Sequence, residues 1–160
     1  MRPTPRLADN PQPGNLPPMT PPATPIRIEA LRLSPGDDLR AALQGAWHAL
    51  AQAHGVQAGC VVSAVGSLDG AVLRYAAQPQ GTPITGALEL LTLQGTFSAN
   101  GVHLHASVAR ADGTVLGGHL MPGCTVRTTA EVVLALLPSW RFTRAPDAAT
   151  GFMELVVGRV

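Results

Sequence analysis

From Gly59 to Val157 the chain is a succession of short apolar, β-branched runs broken by glycine, aspartate and proline, with too little chain between them for crossover helices. Parallel neighbours need a crossover of about a dozen residues or more, so strands this close in sequence pair mainly antiparallel. The runs are Gly59–Val65, Ala71–Ala76, Ala87–Ser98, Val102–Ala109, Thr114–Met121, Val126–Leu137 and Phe152–Val157. Ala130–Leu137 also suits a short helix, which periodicity alone does not separate from a strand. Ahead of these runs, Ile26–Leu33 alternates Ile26, Ile28 and Ala30 with Arg27, Glu29 and Leu31, the period of a half-buried strand. Ser34-Pro35-Gly36 then turns the chain.

A helical period is convincing only over Asp37–His54. Leu39, Leu43, Ala46, Trp47, Leu50 and Ala53 recur at helical spacing, Asp37 and Asp38 stand at the positive N-terminal end, and Gly55 suits the stop. One helix lying on a mainly antiparallel sheet predicts an α+β domain.

Composition bounds the rest. A chain of 160 residues with 46% apolar side chains is about one domain. Nine of the 15 prolines fall in residues 1–25, which have no periodicity and few large apolar residues, so a disordered tail is expected there and the folded domain over 26–160. The formal net charge of +1 supplies no strong field for phosphates or an anionic membrane. No apolar run approaches the roughly 18–20 residues of a membrane span, and no secretory pattern opens the chain, so a cytoplasmic protein is expected. Cys60 and Cys124 are too few and too far apart for a disulfide framework and read as buried free thiols.

Chemistry concentrates in Gly101–Met121, GVHLHASVARADGTVLGGHLM, which holds three of the five histidines. His103 and His105 are two apart in a predicted strand and share a face. Ala111-Asp112-Gly113 suits a three-residue hairpin loop with Gly113 left-handed, a register that sets His105 opposite His119. A loop one residue shorter or longer would turn His119 to the other face. Three imidazoles on one face, with an open position, form a catalytic-type zinc arrangement. Gly117 and Gly118 leave room beside His119 for a ligand or another backbone. Glu89 and then Glu131 are the candidates for a fourth ligand or a general base. Arg32 and Arg74 sit at strand positions where a guanidinium can hold an anionic substrate. His48 and His54 read as ordinary surface residues, and the chain contains no nucleophile elbow, phosphate-binding loop or dinucleotide fingerprint.

Taken together, RLSPGDDL (Arg32–Leu39), GCVVSAVGSLDGAVLRY (Gly59–Tyr75), LELLTLQGTFS (Leu88–Ser98), GVHLHASVARADGTVLGGHL (Gly101–Leu120) and TAEVVL (Thr129–Leu134) resemble the plants and prokaryotes conserved (PPC) domain, in order, over about Ile26–Val157. The resemblance implies a strongly bent antiparallel sheet around one main helix, assembled as a homotrimer whose subunits exchange sheet contacts. It also implies a metal site, zinc, at His103, His105 and His119. Plant members join the domain to AT-hooks, the origin of a DNA-binding label for bacterial relatives; here Arg2-Pro3 occurs without a Gly-Arg-Pro core, so that minor-groove arm is missing. A looser fold similarity to α-acetolactate decarboxylase, another histidine-bound zinc protein, raises lyase or hydrolase-like chemistry on a small carbonyl or carboxylate compound anchored by Arg32 or Arg74. The expected partners are thus a second and third copy and a small anionic ligand, with DNA as the alternative and no membrane.

Overall fold

The computed structural model describes residues 24–160. The segment read as a disordered tail therefore lies, up to residue 23, outside the described residues. The elements run β1 (Arg27–Leu33), α1 (Leu39–His54), β2 (Ala58–Arg74), β3 (Thr82–Ser98), β4 (Gly101–Arg110), β5 (Val115–Leu120), β6 (Thr125–Leu136), β7 (Trp140–Pro146) and β8 (Met153–Arg159). Every ladder between these strands is antiparallel, as the short connections require. Six strands form one sheet in the order β1-β6-β2-β3-β4-β5, and β5 returns to pair with the end of β2. That ladder, Leu73 with Leu120 and Arg74 with His119, rolls β2 to β5 into a closed turn of sheet.

Inside the roll the strand period sorts the side chains. On β4, Val102, Leu104, Ala106 and Val108 are buried, whereas His103, His105 and Ser107 alternate with them toward the outer face. Helix α1 contributes Leu39, Leu43 and Trp47 to the same core. Trp47 is 1% exposed, lies 5.3 Å from the Phe97 ring and donates its indole N–H to the Ser98 carbonyl at 3.0 Å. Burying such a ring stabilises the domain by about 1.5–3 kcal/mol, and the hydrogen bond removes the cost of an orphaned donor. Asp38 caps the helix by accepting the Ala41 N–H at 2.8 Å, and Gly55 closes it at φ 63° in the left-handed region.

Two expectations change. The runs Gly59–Val65 and Ala71–Ala76 belong to one 17-residue strand, β2, which shifts register near Gly66 and Gly70. A Cβ at Gly66 would strike the Thr129 carbonyl and stand 2.8 Å from Ala130 Cα, so this glycine permits close approach of β6 instead of turning the chain. β7 was not among the predicted runs; with β8 it forms a separate two-stranded sheet. The hairpin docks on the main body where Phe142 donates its N–H to Gln57 and accepts from the Ala99 N–H. Ala130–Leu137, ambiguous in sequence, is strand to Leu136 and pairs with β1 and β2. No helix among the described residues is long and apolar enough to cross a membrane.

Candidate metal centre

The hairpin between β4 and β5 follows its turn chemistry. Arg110 and Thr114 flank the loop through an N–H to carbonyl bond of 3.0 Å, Gly113 has φ 82°, and the Asp112 carboxylate accepts the Thr114 N–H. The resulting register sets His105 opposite His119. Because β5 also pairs with β2, and β4 with β3, one row on the outer face runs Gln94, His105, His119, Arg74 across four strands, with Thr96 beside His103 in the next row.

The three histidines converge in space. One nitrogen from each lies within 4.8 Å of the other two, and the Nε2 atoms of His103 and His105 are 3.0 Å apart. A tetrahedral ion with bonds of about 2.0–2.1 Å spaces its ligand nitrogens by about 3.3 Å, so this set closes around such an ion with small ring rotations. His119 Nδ1 is buried without a hydrogen-bond partner, a cost that a neighbouring bound group would remove. Burial is the first cause that pushes His119 down to about 4, with His103, Arg74, His105 and Arg40 acting in the same direction. His103 is also lowered, by burial first and then by Arg144 and His105, with Glu154 opposing. At neutral pH both rings are therefore unprotonated, the state in which imidazole binds a metal.

Of the residues nominated from sequence, Arg74 joins the triad and the others do not. Arg32 is exposed on β1, opposite Glu131, and Glu131 is opposite Val65 of β2. Val65 precedes Arg74 by nine residues, about 30 Å of extended strand. Glu89, opposite Ser67, lines with Glu131, Arg127 and Thr128 a separate groove on that part of the sheet. Neither carboxylate reaches the histidines; among the described residues, the donor cluster consists of those three side chains. His54 forms a 3.5 Å pair with Glu29 and His48 is exposed. Cys124 is buried against Val72, Cys60 is half-buried, and both thiols are free.

The sequence reading included β8, as the run Phe152–Val157, but missed β7 and so the C-terminal hairpin. A cleft of about 420 Å³ beside the triad is lined by His103, His105, Gln94 and Thr96 of β3 and β4 and by Arg144, Glu154 and Leu155 of β7 and β8. The available signal was the alternation of Trp140, Phe142 and Arg144 in WRFTRAP, too short to stand out.

A rolled antiparallel sheet with one helix and an outward-facing three-histidine cluster defines a small domain with a candidate metal centre. The chain belongs to the Plants and Prokaryotes Conserved (PCC) domain family, which matches residues 21–138. It is similar to a hypothetical protein from Salmonella cholerae-suis, with a TM-score of 0.76 and 42% identity over 86% of this chain and 96% of that one. A metal-containing protein from Archaeoglobus fulgidus, AF0104, superposes with a TM-score of 0.66 at 28% identity over 81% of this chain and 93% of its own. The bifunctional protein GlmU of Synechococcus sp. (strain JA-2-3B'a(2-13)) is 50% identical over 130 residues, 81% of this chain, and the chain spans 20% of that protein's length.

Proposed function

We propose that this chain is a trimeric domain in which His103, His105 and His119 hold a divalent metal, zinc in the first place, at a site that binds or transforms a small anionic metabolite. The observation that carries this reading is the convergence of three imidazole nitrogens within 4.8 Å on one sheet face. Two of the rings are held neutral by burial, and a relative sharing 28% identity is described as metal-containing. When bound, zinc would supply Lewis acidity toward a carbonyl or carboxylate group. Arg74, opposite His119, adds a guanidinium beside the metal position that favours an anion there.

Association with DNA, the alternative raised by the family resemblance, has less support. The formal net charge is +1, and the cleft of metabolite size beside the triad is lined by a single arginine, Arg144, with Arg74 standing opposite His119. The test of the metal reading is elemental analysis of protein purified without a histidine tag or chelator. About one zinc per chain is expected, and a His105→Ala variant should lose most of it while remaining folded. Full metal retention in that variant would overturn the reading.

A further inference from the structure

The β7–β8 hairpin lies beyond the residues matched by the family, and it brings Arg144 and Glu154 to the triad cleft. Arg144 is held with care. Asn100, in the turn between β3 and β4, accepts the Arg144 N–H at 2.8 Å and donates its amide to the Arg144 carbonyl at 2.9 Å, fixing that residue's backbone on both sides. The guanidinium donates to the Thr96 hydroxyl and to the Met153 carbonyl, each at 3.3 Å. Thr96 is the register partner of His103, so the guanidinium is fastened to the row that carries the triad. These bonds engage two of the five N–H donors of an arginine. Nε is buried without a partner.

Charge defines what the cleft lacks. Three imidazole ligands bring no negative charge to a dication. Arg144 lines the cleft, Arg74 stands opposite His119, and among the described residues Glu154 is the one carboxylate that lines the cleft against them. A dication among these guanidinium groups would leave positive charge uncompensated, and an anion entering the cleft would neutralise it. About 420 Å³ accommodates a small organic acid.

We infer that Arg144 is the anion-binding residue of this cleft: it receives the carboxylate of a small keto or hydroxy acid over the three histidines, Glu154 accepts a hydroxyl on the same molecule, and metal and acid bind cooperatively. This inference rests on the metal reading above. Coupling between two ligands is reciprocal, so the acid must tighten metal binding by the factor by which the metal tightens acid binding.

The experiment measures zinc affinity of the full chain in a metal buffer that fixes free zinc, alone and with pyruvate, lactate or the uncharged hydroxyacetone. In the wild type, pyruvate and lactate are expected to tighten zinc binding by roughly 5–150-fold, the usual range of such couplings, and hydroxyacetone to leave it unchanged. Arg144→Gln is expected to bind zinc alone at least as well as the wild type and to lose the tightening; Arg144→Lys keeps the charge without the fork and should retain part of it. Glu154→Gln should weaken the lactate effect more than the pyruvate effect. Equal tightening in wild type and Arg144→Gln, or none by either acid in the wild type, overturns the inference while leaving the metal reading intact. A chain that takes up no zinc under any condition overturns both, and the wild-type comparison stands even if a variant fails to fold.

Discussion

His119 carries the largest local cost among the titratable groups of the site. Its ring is partly buried, one nitrogen has no partner, and its protonation is pushed down to about 4. An unfolded histidine titrates near 6.5, so between about pH 6.5 and 4 the unfolded chain binds a proton that the folded chain refuses. Folding stability of the metal-free domain consequently falls as pH drops through that window, and protonation of His103, also depressed, adds to the fall. Urea unfolding of chelator-treated protein should give a lower midpoint at pH 5 than at pH 7, with a smaller difference in His119→Gln. An identical pH dependence in the two proteins would show that the ring does not sit in this environment. The alignment of these histidines was legible because strand alternation and loop chemistry are local. The lowered protonation of His103 and His119 was not, because it depends first on burial in the folded sheet and then on Arg74, Arg40 and Arg144 from three other elements.

Among elements, legibility followed sequence separation. The β4–β5 hairpin is specified by Asp112, Gly113 and the flanking alternation, and the helix by Asp38, its apolar stripe and Gly55. β2 was divided because Gly66 and Gly70 look like turn punctuation, whereas Gly66 serves the close approach of β6, far along the chain, and Gly70 sits at a register shift where a Cβ would stand 3.3 Å from the Ile84 carbonyl of β3. Arg144 went unnoticed for the same reason, being bound to Asn100 and Thr96 across more than forty positions. The helix cap illustrates how one local residue also does distant work. Asp38 accepts the Ala41 N–H in the first turn and the Gly123 N–H just before β6, tying the helix start to the sheet. Asp38→Ala should therefore lower stability by about 1–2 kcal/mol, the upper part of the range for lost caps, seen as a reduced urea midpoint at unchanged slope. A change within experimental scatter would mean that solvent replaces both bonds without cost.

At the scale of the whole molecule, the closed roll of β2 to β5 leaves the opposite part of the sheet with apolar side chains facing out. Val62, Val65 and Leu91 are 56%, 53% and 44% exposed, and Val65 and Leu91 flank the Gly66–Leu90 pair of β2 and β3. Exposed apolar side chains on a sheet face, here bordered by Glu89, Arg127 and Glu131, suit contact between copies, and a net charge of +1 offers little repulsion against it. Such a contact is what the trimer proposed here requires. Wild-type protein should have a solution mass three times the 16.5 kDa of the chain, and Val65→Asp, which places a charge in the contact, should shift the mass toward the single chain. All three histidines belong to one chain, on β4 and β5, whereas Val65 lies nine residues along β2 from the closing pair of Arg74 and His119. The dissociated variant should accordingly keep its zinc. Loss of zinc together with loss of the trimer would instead mean that a neighbouring subunit completes the metal site, and an unchanged mass would remove this face from the assembly.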